Sequence, residues 1–159
     1  MALHELVIRP ARVGEDAALV RVLLETFEST WRPQISVAAA KAHLEQGRAA
    51  TYVGESGLEF WVAELEGQIV GLIHWRDDFV HALHVRPSHA RSGVGSRLMD
   101  RAEADIASLG FEQVRLETDT FNLASQALYR SRGYREADRY PDEEWNSGLT
   151  TILLVKSLG

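Results

Sequence analysis

Hydrophobic and polar positions along the chain sort into a readable series of elements. The opening run Glu5-Leu6-Val7-Ile8-Arg9 has extended character and stops at Pro10. Between Glu15 and Phe27 the apolar residues fall at Leu19, Val20, Leu23, Leu24 and Phe27, which is helical spacing with one face to bury. Asp16 suits the first turn of that helix. Pro33 interrupts, and Ser36 is placed to cap a second, Ala-rich helix that ends at Gly47. Strand patterns follow at Phe60 to Leu65 and Ile69 to Trp75, joined by the short connection Glu66-Gly67-Gln68. A third strand, about Phe79 to Val85, is closed by Arg86-Pro87. Val94, Leu98, Ala102 and Ile106 step by four and predict a helix over Val94 to Ser108, with Gly110 to end it. Val114 to Thr118 alternates as a strand, Asn122 opens a helix running to Gly133, and Thr150 to Val155 reads as a last strand. The order β-α-α-β-β-β-α-β-α-β predicts an α/β fold of mixed type: one mixed, mostly antiparallel twisted sheet covered by helices.

Composition narrows the options. At 159 residues without repeats or a linker-like tract, the chain reads as one domain spanning residues 1–159. Its 45% hydrophobic and 25% charged content is that of a globular protein, and no apolar run approaches the ~20 residues a membrane span requires. The opening residues carry no secretory pattern, so a cytoplasmic location without membrane association is expected. There is no cysteine, which rules out a thiolate metal site or a cysteinyl acyl intermediate. A net charge of −6 argues against a nucleic-acid partner and suits a cationic substrate. His81-x-x-His84 is a poor metal pair, because on a regular strand the two rings face opposite ways; no metal is expected.

The turn His84-Val85-Arg86-Pro87-Ser88-His89-Ala90-Arg91-Ser92-Gly93-Val94-Gly95-Ser96 joins a strand to a helix. Successive backbone N–H groups there, backed by the helix dipole, can hold phosphate oxygens, with Arg91 and Ser96 adding charge and a hydroxyl. A dinucleotide fingerprint asks for a third glycine where Leu98 stands, although Glu117 lies at a tolerable distance for a ribose-binding acid. A nucleotide P-loop asks for Gly-Lys-Ser/Thr, whereas Gly95-Ser96-Arg97 follows here. The pyrophosphate of coenzyme A fits best, while an ordinary tight turn would also explain Gly93-x-Gly95.

Val85-Arg86-Pro87 followed by Gly93-Val94-Gly95 and Leu98-Met99 resembles the acetyl-CoA-binding motif of the GNAT superfamily, the Gcn5-related N-acetyltransferases. About thirty residues on, Asn122-x-x-Ser125-x-x-x-Tyr129-x-x-x-Gly133-Tyr134 is similar to that family's second signature. Ala90 stands where the family often has Gln or Arg, and Ser125 replaces the usual Ala. The resemblance implies a splay between two central parallel strands, one ending at Val85 and one beginning at Val114, with pantetheine between them. Backbone groups of Leu83, His84 and Val85 would then line the pantetheine arm. Arg91, Ser92, Gly93, Val94, Gly95 and Ser96 would hold the pyrophosphate, and Asn122, Tyr129 and Arg132 would complete the acetyl-CoA site. A backbone N–H at or beside Val85 would polarise the acetyl carbonyl.

Acetyl transfer requires a neutral amine, donors for the oxyanion and a proton for the departing thiolate. Tyr129 is the candidate acid, set against the alternative of a packed helical aromatic. For the base, His81 in Phe79-Val80-His81-Ala82-Leu83 resembles the His-containing strand of arylalkylamine acetyltransferases, with Phe79 where a second histidine would stand. A strand histidine bonded to backbone is the competing reading. Glu117, Asp78 and His84 are alternatives, His84 being disfavoured by strand parity unless a β-bulge intervenes.

Trp31, Trp75, Tyr140 and Trp145 are candidate walls of an acceptor pocket, and Asp77, Asp78, Asp119, Asp142, Glu143 and Glu144 could attract an ammonium group; packing and solvated surface are the plainer readings. The pattern favours a small cationic or aromatic amine as partner. A peptide N-terminus is the alternative, since Glu117-Thr118 and the following helix also resemble ribosomal-protein N-terminal acetyltransferases. From another class comes a non-catalytic acyl-CoA sensor. A homodimer is compatible with the resemblance.

Overall fold

In the computed structural model, which describes residues 5–142 and 148–159, five helices cover a seven-stranded sheet. The elements run β1 (Val7–Pro10), α1 (Asp16–Thr26), α2 (Val37–Glu45), α3 (Arg48–Ser56), β2 (Trp61–Leu65), β3 (Gln68–Arg76), β4 (Phe79–Val85), α4 (Val94–Ser108), β5 (Gln113–Asp119), α5 (Leu123–Ser131), β6 (Arg135–Pro141) and β7 (Thr150–Ser157). The strand order is β1-β2-β3-β4-β5-β7-β6, antiparallel except for the parallel pair β4–β5.

The sheet has a core on each face. On one, Leu98, Met99, Ala102 and Ile106 of α4 pack against Ile73, Val80, Leu116 and Leu154. On the other, Leu19 and Val22 of α1 and Val53 of α3 pack against Phe60, Val62, Leu72 and Ala82. Each fully buried Leu, Ile, Val or Phe contributes about 1.5–3 kcal/mol, so these two layers hold the helices against both faces of the sheet. The fit is closest at Gly71 of β3: a Cβ there would stand 3.1 Å from the His84 carbonyl oxygen and 3.2 Å from side-chain carbons of both Leu98 and Val94.

Two elements escape the sequence pattern. Gly47 does end α2, with Ser36 accepting from the Ala39 N–H at its start, but Gly47 adopts φ 60° and launches α3 directly. The polar run Arg135–Pro141 is an edge strand paired with β7, and its residues, Tyr140 apart, are exposed on both faces. In addition, α1 continues through a wider turn, Phe27–Trp31, which carries Trp31 out over the sheet.

A buried carboxylate ties the C-terminal elements together. Glu103 on α4 accepts from Arg132 (2.9 Å), Lys156 (2.8 Å) and the Tyr134 hydroxyl (2.8 Å), while Arg132 also reaches Asp100 at 2.7 Å. Burial works to raise the Glu103 carboxyl, but these three donors outweigh it and leave the group below its ordinary value.

Candidate active site

The parallel strands part almost as soon as they meet. Strand β4 pairs with β5 only at Phe79↔Arg115 and Val80↔Leu116. Beyond that point Leu83, His84 and Val85 diverge from Thr118 and Asp119, with no pairing between the two strands. Asp78 fastens the joined end: its carboxylate accepts from Arg115 Nε at 3.0 Å and Nη2 at 2.9 Å, and its carbonyl accepts the Arg115 N–H at 2.8 Å.

At the open end, β4 leads into a turn that ends on the N-terminus of α4. Arg91 and Gly93 both have positive φ, 59° and 92°. Gly93 is the N-cap, and no side chain caps the helix, so the first N–H groups of α4 face outward without intrahelical acceptors. That is an anion-holding geometry, strengthened by the helix dipole and by the exposed Arg91. A Cβ on Gly95 would fill the space towards Leu128, Val85 and Leu83, at 3.5–3.9 Å. Val94 is buried beneath the turn, and the Ser92 hydroxyl donates to the His89 carbonyl. Ser96 accepts from Arg132 Nη1 at 2.7 Å, which makes Arg132 a brace between α4 and the end of α5. Asn122 caps α5, its side-chain oxygen accepting the Ser125 N–H at 3.1 Å.

The cleft has two chemically different sides. Towards α4 and α5 lies Tyr129, 7% exposed, edge-on to Tyr134 at 5.6 Å. Burial pushes its hydroxyl up to about 12, with the Ser125 hydroxyl pulling the other way. Ser125 in turn shares a 2.9 Å hydroxyl contact with Thr118 of β5. Towards α1 and α3 stand His81, His84, Trp31, Glu117 and Asp119. Trp31 donates to Asp119 Oδ2 at 2.8 Å, and its ring lies 5.8 Å from that of His84. Burial alone lowers His84 to about 4. Burial also raises the Asp119 carboxyl, opposed by the indole and reinforced by Asp142 and Glu117. The Tyr140 hydroxyl donates to Glu117.

Strand parity disfavours His84 as a partner of His81, and the structure removes that objection. The register between β3 and β4 shifts at His74/Trp75, so His81 is the extra residue of a bulge. His81 lies 5.3 Å from the His74 ring, on the same face as His84, which is paired with Leu72. The structure does not bring Trp75 or Asp78 to this group. Trp75 faces α4 and packs 6.2 Å from Trp61, while Asp78 sits at the joined end of the strands. Glu143, Glu144 and Trp145 lie outside the described residues. Among the described residues no cluster of His, Asp and Glu has the makings of a metal site.

Three residues that the sequence reading passes over complete the His81 surroundings. His74 is 3% exposed; its Nε2 lies 3.1 Å from Glu59 Oε1 and its Nδ1 2.5 Å from the Tyr52 hydroxyl. His74 lies inside an apolar strand, Glu59 in a one-turn connection, and Tyr52 on the helix the pattern missed, so no local signal links them.

The profile of the acetyltransferase (GNAT) family matches residues 19–134, and the chain belongs to that family. It is 37% identical over 110 residues to blasticidin-S acetyltransferase of Streptomyces morookaense, covering 69% of this chain and 74% of that one. It is 30% identical over 96 residues to human N-acetyltransferase 8, where the match covers 54% of this chain and 42% of the relative. The fold superimposes on the PaiA N-acetyltransferase of Thermoplasma acidophilum, solved in complex with coenzyme A, with a TM-score of 0.76, 17% identity and 99% of both chains covered. The protein is thus an N-acetyltransferase by family. No helix among the described residues is long and apolar enough to cross a membrane.

Proposed function

We propose that the protein transfers the acetyl group of acetyl-CoA to the amine of a small cationic or aromatic acceptor, by direct attack within a ternary complex. One observation carries the reading: β4 parts from β5 after Val80 and Leu116, with a buried tyrosine hydroxyl on one side of the sheet and two histidines and two carboxylates on the other. The uncapped start of α4 suits the pyrophosphate.

Acetyl-CoA supplies an activated thioester; the protein supplies position and protons. Trp31, Asp119 and Glu117 would seat the ammonium group and the body of the acceptor. His81, exposed in the cleft, would take the ammonium proton and leave a neutral nucleophile. A backbone N–H at the open end of β4 would hold the carbonyl oxygen as charge develops, a contact of the kind usually worth ~10²–10³ in rate. As the new C–N bond forms and the C–S bond breaks, the Tyr129 hydroxyl would donate to the thiolate, and the second proton shed by the nitrogen would restore that hydroxyl through solvent. Burial keeps that hydroxyl protonated at neutral pH. The relative named for blasticidin S supports an acceptor of small-molecule size.

The test is thiol release from acetyl-CoA across polyamines, arylalkylamines, aminoglycosides, amino acids and short peptides, run beside Tyr129→Phe. Turnover with one amine class, lost in the variant, supports the reading. Turnover confined to peptides would replace the acceptor, and failure of acetyl-CoA to bind by calorimetry would overturn the reading.

A further inference from the structure

The bulge in β4 sets His81 against the buried ring of His74. His81 touches two rings, with His74 at 5.3 Å and Phe79 at 4.9 Å between centroids. His74 is itself fixed from both ends. Arg76 holds Glu59 ionised with a two-pronged contact (2.9 and 2.8 Å), and a carboxylate only accepts hydrogen bonds. His74 Nε2 therefore carries the hydrogen directed at Glu59, and Nδ1 is left to accept from the Tyr52 hydroxyl. Both nitrogens are satisfied in the neutral ring, and burial opposes a further proton.

We propose that His74 is a positioning residue for proton transfer: anchored by Glu59 and Tyr52, its neutral ring holds the His81 imidazole in the cleft and sets the pH at which His81 accepts the proton of the amine. The proposal rests on the reading of His81 as that acceptor. A strand histidine exposed to solvent would otherwise sample several rotamers, only some of them aimed at the substrate. Packing against His74 removes that freedom. Neutrality matters equally, because a charged His74 would repel the imidazolium that His81 must become. The groups facing His81 are His74 and Arg76 from β3, Glu59 from the connection before β2 and Glu117 from β5, with Tyr52 of α3 acting through His74. Burial is the main influence lowering His81, aided by His74 and Arg76, while Glu59 and Glu117 pull it up.

The experiment combines two readouts on the acetyl-CoA-dependent enzyme. The His81 imidazole is titrated by NMR, its signals among the six histidines assigned by their loss in His81→Gln, and the acid limb of kcat/KM against pH is measured for the best amine of the acceptor panel. His74→Gln removes the ring, and Tyr52→Phe loosens it while leaving the core intact. In His74→Gln the His81 titration is expected to move up by about half a pH unit or more, as the ring that shields His81 from water is lost, and the acid limb moves with it. Turnover falls about tenfold with the KM for acetyl-CoA unchanged, as suits a misplaced proton acceptor. Tyr52→Phe gives the same changes in weaker form, so the proposal stays open to refutation if His74→Gln does not fold. Unmoved titration and unmoved acid limb in a folded variant would overturn the proposal and leave His81 as the base. A titration that moves while the acid limb stays fixed would instead remove His81 from the reaction, and the positioning role with it.

Discussion

Trp31 and Asp119 stand 88 residues apart in the chain and meet through one hydrogen bond, 2.8 Å from indole Nε1 to Oδ2. The bond spans the open mouth between the N-terminal helices and the end of β5. Trp31 reaches it only because α1 runs on through the wider turn Phe27–Trp31. In the proposed reaction this pair forms one wall of the acceptor site. Asp119→Asn is expected to raise the acceptor KM about tenfold, in the range for loss of one charged hydrogen-bond partner, with the KM for acetyl-CoA unchanged. The pH dependence has a definite sign. The Asp119 carboxyl is held above its ordinary value, chiefly by burial, so acceptor affinity is full above that raised pKa and declines as pH falls through it. In Asp119→Asn this decline should vanish from a plot of acceptor KM against pH.

Tyr129→Phe should lower kcat by at least about tenfold and leave acetyl-CoA affinity near wild type, since general acids typically contribute ~10²–10⁴. With the hydroxyl pushed up to about 12, the wild-type rate should show no alkaline decline from this group below pH 10. Steady-state kinetics over pH 6–10 check both statements.

Gly93→Ala tests the anion cradle. Its φ of 92° lies outside the range that L-residues adopt readily, at a cost of about 1–2 kcal/mol. The strain falls on the turn that presents the first N–H groups of α4. Calorimetry should show acetyl-CoA binding weakened about tenfold or more, with little change in the helical circular dichroism.

Glu103→Ala should destabilise the protein by about 3–5 kcal/mol in chemical denaturation, because Arg132 and Lys156 would be left without their shared, buried counter-charge. Glu103 is net depressed by its three donors. Its stabilising contribution is therefore present above the unfolded carboxylate pKa and is lost as pH falls through the folded value. Wild type should lose stability faster than Glu103→Ala over that acidic window.

The elements that position the site were largely written in local patterns. Val94 to Ser108 is a helix with the limits its four-residue spacing predicts, and Phe79 to Val85 is the strand that leads into the cradle. What the pattern hid has physical causes. Gly47 reads as a terminator, yet a left-handed glycine also permits a tight corner from one helix into the next. Arg135–Pro141 lacks alternation because neither of its faces is buried. The bulge at His81 depends on the register of two strands and leaves no trace in the order of residues. The same holds for the contacts of His74 with Glu59 and Tyr52, which join three elements through tertiary packing.

The brief β4–β5 pairing has a mechanical meaning as well. Strands β1 to β4 and strands β5, β7 and β6 form two ribbons stitched at two residue pairs and pinned by Asp78 and Arg115. A molecule lying in the seam would supply the cross-ties that the missing ladder does not. Coenzyme A would then act as a removable part of the sheet, and amide exchange should slow along both lips of the seam, at Leu83–Val85 and Thr118–Asp119, as it enters. Its release would leave the seam held only by its paired end and by helix α4, which packs beneath both ribbons.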